Sequence, residues 1–502
     1  MSLAHARARA AARSASTFAP LAAAALLGSG AGCGHSSGGN APTYLDRETM
    51  LDPQTCASCH ADHYRDWSGS MHAYASDDPV FLAMNARGQR ETSGQLGSFC
   101  VKCHAPMALA EGATTDGTNL GTVDPKLKGV TCFFCHTIDA VTGSHDAAVT
   151  LAGDLVMRGE YADPVANDAH ASSSDALHDR DQLASAGLCG GCHDIVAPPG
   201  AAIERTFAEW QSSTFADPQG GETCGQCHTN QSTTKVPIAQ APGVFPRYFH
   251  AHDFPAVDVA LSPSFPNAAA ELQTVQTFLQ TTLQTALCVT QSGGVRVIVD
   301  NVSAGHFFPS GAAQDRRVFA EVIASKAGAV VYQSGVVPDG TPVVSVQNDP
   351  DLWLLRDCMF DASGKQVDMF WQAATSQGNE LPMPVTTDKT DPRYYQTHVY
   401  QRFPRALNST LPQVPDQVTL RVRVQPIGLD VLDDLVASGD LDAGIASQMP
   451  TFDVAPLLTW TAATANLTYQ DVDGTQVTCV SATSFNVAAD KFLAQENAGC
   501  SP

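Results

Sequence analysis

The hydrophobic pattern of the chain changes texture near Ser262. Beyond it, Val295 to Val299, Val318 to Ile323, Val330 to Gln333, Val343 to Val346 and Val418 to Val424 alternate or cluster β-branched residues between Gly, Pro and Asp turns. That pattern predicts strands, and Arg-Val-Arg-Val at 421 to 424 has the period of a strand with one wet face. Residues 271 to 288 begin with helical spacing, which places a connecting helix at 261 to 287, and Leu429 to Leu441 reads as a short interposed helix. Before Ser262 the Gly and Pro residues are scattered and long helices are not expected. One helix can be placed there: Tyr64, Trp67 and Met71 follow residue 60 at spacings of four, three and four, giving a single apolar face. Within it lies D-W-x-x-S-x-H-A (Asp66, Trp67, Ser70, His72, Ala73). A near copy, Glu209, Trp210, Ser213, Phe215 and Ala216, has phenylalanine in place of the histidine. A repeated packing unit explains both copies, although matches this short also arise by chance.

Composition sharpens the division. The chain has 502 residues with 51 acidic and 28 basic groups, a formal net charge of −23. Such a surface repels phosphate backbones and argues against nucleic acid as a partner; it could steer a basic redox protein, though solubility accounts for the charge equally well. Arg7, Arg9 and Arg13 precede an apolar run, Phe18 to Leu27, too short to cross a bilayer, so residues 1 to 32 are expected to be a secretory signal. Cys33 follows small residues and precedes a Gly/Ser-rich tether, residues 33 to 52. This resembles a bacterial lipoprotein signal with Cys33 as the lipidated N-terminus, except that Gly30 stands where a leucine is usual. The expectation is a periplasmic or cell-surface protein, attached to a membrane through that lipid if at all.

The 15 cysteines carry the chemistry. Ten fall into five C-x-x-C-H motifs: Cys56, Cys59 and His60; Cys100, Cys103 and His104; Cys132, Cys135 and His136; Cys189, Cys192 and His193; Cys224, Cys227 and His228. Chance placement at this composition yields about 0.01 copies. The spacing is that of c-type haem attachment, with the thiols bonding the vinyl groups and the adjacent imidazole ligating iron, so five covalent haems are implied. Roughly 40 residues per haem is too few for a conventional core, and the haems themselves must supply much of the buried apolar surface. Cys288, Cys358, Cys479 and Cys500 remain. They allow two disulfides in three connectivities, or buried free thiols; disulfides agree with an oxidising compartment.

The second axial ligand decides between electron transfer and an open iron. His63 lies one helical turn from His60 and cannot reach round to the opposite face of that haem; a solvated helical position is expected. His35 sits in the tether. His72, His145, His170, His252 and His306 are selected as distal ligands, with His178 and His250 as runners-up and Met84, Met107 and Met157 as thioether alternatives. His306 lies in Ala-Gly-His-Phe-Phe-Pro-Ser-Gly, either a ligand that docks the β region onto the haems or a structural turn residue.

Cys-Ala-Ser-Cys-His followed by Asp-Trp-Ser-Gly-Ser-Met-His-Ala, the Gly-Val-Thr-Cys-Phe-Phe-Cys-His spelling, and Ala-Glu-Trp-Gln-Ser-Ser ahead of Thr-Cys-Gly-Gln-Cys-His resemble the cytochrome c-554 family. That family is related to the hydroxylamine oxidoreductase and octahaem reductase group. The likeness covers about residues 55 to 258. It implies a distal ligand at His72, and similar chains carry a C-terminal β region with a G-H-x-x-P turn like that of Gly305, His306 and Pro309. The type member has four haems, so its ligand pairing does not transfer. Relatives that reduce nitrite use C-x-x-C-K, which is absent here. The expectation is a multidomain protein: a mainly α and irregular haem-packed cytochrome c domain at 53 to 260, then an all-β sandwich-like domain at 288 to 502. Its expected role is transfer of single electrons between redox partner proteins. The competing expectation is an oxidoreductase acting on a small nitrogen or sulfur species at one five-coordinate haem.

Overall fold

The computed structural model describes residues 44–406, 409–470, 474–482 and 493–494, and these form one compact unit. The leader, Cys33, His35 and Cys500 lie outside the described residues.

The motif-bearing half is built of short helices, of which Pro79–Glu91 is the longest. Asp78 caps that helix by accepting from Val80 N, and Pro79 begins it where no backbone donor is needed. The helix expected after residue 60 is interrupted. Ala61–Ser68 ends at Gly69, and Ser70 caps a new turn, Met71–Tyr74. Tyr64 and Trp67 therefore do not share a continuous helical face with Met71. Between the helices the chain pairs short strands that were not expected, among them Val156–Gly159 with Ala171–Ser174 and Gln231–Val236 with Arg247–His250. Linkers this short satisfy their backbone groups pairwise where no helix of useful length fits.

The C-terminal half holds two facing sheets. Among the described strands, one sheet runs in the order 467–470, 476–481, 284–290, 295–300, 398–403, 493–494. The other runs 329–334, 317–326, 417–425, 452–453. The alternation in sequence sets the inward faces: Val295, Val297 and Val299 from one sheet meet Val318, Ala320, Val322, Val418, Leu420 and Val422 from the other in one core. Two expectations are corrected. Val343–Val346 is a 3-10 turn. The connecting helix is only Ala268–Leu279, because strand Gln284–Thr290 has already begun where helix was expected to continue. The helix near 429 is present as Leu429–Ala437.

Charged pairs fasten the halves together. Arg90 makes a two-pronged bond to Asp440 at 2.5 and 2.6 Å, Arg87 meets Asp434 at 2.6 Å, and Trp371 Nε1 donates to Glu91 at 2.9 Å. Buried Arg316 clasps Asp258 with both guanidinium nitrogens at 2.9 and 3.0 Å.

Two predictions follow from these elements. Cys288 and Cys479 face each other on neighbouring strands and form a disulfide spanning 191 residues; Cys358 is also disulfide-bonded. Replacing Cys288 and Cys479 together by alanine should cost about 2–5 kcal/mol, read as a lowered thermal unfolding midpoint. Glu271, on the connecting helix, is pushed up to about 8 by burial and by Asp253 and Asp66. The folded state thus holds its proton where the unfolded state does not, so Glu271 makes stability fall as pH rises from the ordinary carboxylate range to about 8. In Glu271→Gln, denaturation midpoints should lose that part of their pH dependence; an unchanged slope would refute it.

Candidate haem-binding centre

Each motif places its histidine at or just beyond a short helix, and a distant segment supplies an acceptor to the ring. Nδ1–H donates to Ile238 O from His60 at 3.1 Å, to Ala75 O from His104 at 3.1 Å, to Arg158 O from His136 at 2.6 Å, and to Pro255 O from His228 at 2.8 Å. A carbonyl cannot donate, so these four rings are held in the tautomer that leaves Nε2 with a lone pair. His193 differs: its Nδ1 faces Glu204 at 3.4 Å. Burial pulls His193 down, but the bond to Glu204 and the charges of Glu204, Cys192 and Cys189 outweigh it and raise the ring to about 9.

All ten motif cysteines and all five motif histidines line one cavity of about 1290 Å³. Thiols of different motifs are neighbours within it: Cys56 of Cys132, Cys103 of Cys192, and Cys189 of Cys224. The first motif is therefore beside the third, the second beside the fourth, and the fourth beside the fifth.

Further histidines enter the same cavity opposite the motif rings. His170 stands 6.5 Å from His60 between ring centres, His72 6.2 Å from His193, and His252 6.4 Å from His136. Two imidazoles on opposite faces of one metal, each bonded at about 2 Å, have ring centres about 6 Å apart, so these pairs fit an iron between them. His178 is also 6.0 Å from His136, but both its nitrogens are engaged, Nδ1 by Asp175 at 2.8 Å and Nε2 by Cys135 O at 2.9 Å. His252 donates Nδ1–H to His250 O at 2.9 Å and keeps Nε2 free. His250 itself pairs with Glu160 at 2.8 Å. His306 lines the cavity, donates Nδ1–H to Phe307 O at 2.7 Å, and has His228 as a neighbour there. Burial holds His72 near 3 and His306 near 4, so both rings are neutral, as ligation requires.

Two sequence expectations change here. His145 is not brought to the cavity: its side chain is 47% exposed and faces Asp146 at 3.9 Å, on a turn where Asp146 and Ala147 both have positive φ. His63, expected on a solvated face, is half-buried between His252 at 4.8 Å and His60 at 5.7 Å, and its buried Nδ1 has no partner among the described residues. Burial pushes it down to about 2. His104 stacks flat on Phe81 at 4.1 Å, and among the described residues no second imidazole stands across from it. Met84 and Met157 line the cavity, whereas Met107 is fully buried in an apolar cluster.

The tryptophan repeat is a docking unit. Trp67 Nε1 donates to Val130 O at 2.8 Å, and Val130 N donates to His72 O at 2.8 Å. Trp210 Nε1 donates to Glu222 O at 2.9 Å, and Glu222 N donates to Phe215 O at 2.9 Å. In both copies the serine hydroxyl returns to the tryptophan carbonyl at 2.8 Å. Val130 and Glu222 each stand two residues before a motif cysteine, inside Gly-x-Thr-Cys. A Cβ on Gly129 would lie 2.7 Å from His72 O, and one on Gly221 would lie 2.1 Å from Phe215 O, so only glycine admits this approach. The unit holding His72 docks on the third motif and extends its ring to the fourth. In the second copy, Phe215 packs against Gly305, beneath the turn that carries His306.

A family model described as Cytochrome c554 and c-prime matches residues 55–137, a span that includes the first three motifs and His72. The penta-heme cytochrome c552 from Thermochromatium tepidum shares the fold, with a TM-score of 0.57 and 18% identity over 82% of this chain and 99% of that one. No curated protein matches the sequence.

Replacing Trp67 or Trp210 by phenylalanine keeps the ring but leaves a buried carbonyl without its donor. Each change should cost about 1–3 kcal/mol in denaturant unfolding of the haem-loaded protein; a wild-type midpoint for both would remove the docking role.

Proposed function

We propose that this chain, a multihaem cytochrome c, is an exported electron carrier in a respiratory or extracellular chain, passing single electrons through five covalently bound haems. The observation that carries the reading is the meeting of motif thiols within one cavity, first with third, second with fourth, fourth with fifth. When bound, each haem supplies a one-electron iron couple whose potential follows its axial ligands and burial. The side chains do the rest. His60 with His170, His136 with His252, His193 with His72 and His228 with His306 offer imidazole nitrogens in pairs, a set suited to six-coordinate iron and small reorganisation. Carbonyl acceptors behind the motif rings hold their orientation, and the surrounding apolar clusters exclude water.

Export is supported by the leader composition and by the Cys288–Cys479 disulfide, which is at home in an oxidising compartment. Attachment would run through a lipid on Cys33; no helix among the described residues is long and apolar enough to cross a membrane. One observation favours a second reading, oxidoreductase chemistry on a small nitrogen or sulfur species: among the described residues His104 stacks on Phe81 and faces no partner imidazole.

Electron paramagnetic resonance tests the set. The oxidised protein should show four low-spin haems and one high-spin ferric haem that binds carbon monoxide when reduced. A wholly low-spin spectrum would close the His104 site, for instance through the Met84 thioether, and remove the second reading. His252→Ala should convert one further haem to high spin, whereas His178→Ala should not; the reverse result would overturn the pairing.

A further inference from the structure

We propose that the outer face of the hairpin formed by Gln231–Val236 and Arg247–His250 is a docking surface for an acidic redox protein that exchanges electrons with the haem of the first motif. This deepens, and rests on, the electron-carrier reading.

The hairpin roofs the first motif. Its connecting segment takes the His60 proton bond at Ile238 O, and Gln240 N donates to Cys59 O at 2.7 Å. Ile238, Ala241 and Val244 line the cavity from within. On the outside Phe245 is 46% exposed, among the largest exposed apolar side chains of the described residues, and beside it Tyr248, 41% exposed, reaches from this surface to the cavity rim. A partner seated here is therefore separated from the first-motif site by a single layer of chain.

Charge identifies the partner. The sequence carries 51 acidic groups against 28 basic ones, yet no Asp or Glu occurs between Glu222 and Asp253. Lys235 makes no ion pair among the described residues and lies over the Tyr248 ring at 5.4 Å. Arg247 is held between the rings of Tyr161 at 4.2 Å and Phe245 at 4.3 Å. Of the acids that reach the hairpin from the neighbouring loop, Asp163 is paired with Arg247 at 2.6 Å and Glu160 is held by the His250 ring at 2.8 Å. Exposed aromatics stacked with arginine are the side chains that anchor protein interfaces. A partner with carboxylates around its redox centre is repelled by the acidic remainder of the surface and steered to this strip.

The test uses the full haem-loaded protein and an acidic probe, plant-type [2Fe–2S] ferredoxin. Calorimetry with oxidised ferredoxin at low ionic strength gives the affinity, and stopped flow with reduced ferredoxin gives the second-order rate. Lys235→Glu combined with Phe245→Ser alters only exposed side chains. It should weaken binding and slow transfer at least tenfold, with the difference collapsing at high salt. Lys389→Glu, an equal charge reversal off the hairpin, should leave both near wild type. Wild-type affinity in the double variant, or equal losses in the Lys389 variant, would overturn the docking surface. So would sedimentation showing that the wild type pairs with itself through this strip and the double variant does not. Reduction by a neutral flavin semiquinone separates the two readings. Equal flavin rates in all variants confine a failure to docking, and failure of flavin to reduce the wild-type haems would instead refute the carrier reading.

Discussion

Each motif histidine hands its Nδ1 to an acceptor from a remote part of the chain, and much of the architecture follows from that requirement. The acceptors at Ile238, Ala75, Arg158, Glu204 and Pro255 come from five different segments. Meeting them draws the chain back across itself around one cavity, in place of a conventional apolar core for each segment. The same bonds orient the free nitrogens inward. Burial holds most of the cavity histidines neutral, while Glu204 makes His193 the exception and the most basic of the motif rings.

The β half belongs to this construction. Glu209 accepts from Phe307 N at 3.0 Å and from Ser310 Oγ at 2.7 Å, so the turn bearing His306 is tied to the helix that carries Trp210. Where the second tryptophan unit has phenylalanine, the β half brings a histidine to the adjoining space. Arg316 and Asp258 close the same junction from the other side. The two sheets thus bring His306 to the cavity as well as stabilising the fold.

The tryptophan units show how an eight-residue likeness becomes a geometric device. Tryptophan and the following turn grip one peptide unit two residues before a motif cysteine, and a glycine just upstream admits the approach. In the first copy the ring thrown forward by that grip reaches the fourth motif and not the first. His72 therefore stitches motifs that are far apart in sequence.

Much of this was legible in the residues themselves. C-x-x-C-H names its own chemistry, because thiols and imidazole at that spacing serve one cofactor. Alternation of β-branched residues marked the strands near 295, 318, 330 and 418, since a period of two has one structural meaning when one face is buried. Val343–Val346, clustered much as Val330–Gln333 is, became a 3-10 turn all the same. The distal histidines were less legible, because ligation depends on which nitrogen is free and what lies opposite. His252, a selected ligand, and His178, a runner-up, both stand across from His136, and only the bonds to Asp175 and Cys135 O separate them. His145 and His63 were misplaced for the same reason: exposure and pairing are properties of the packed chain. The local pattern determined which cofactor the chain is built for and where its strands run. Tertiary structure decided which histidines face one another and which motifs are neighbours, because those distances are set by contacts between segments that no sequence interval encodes.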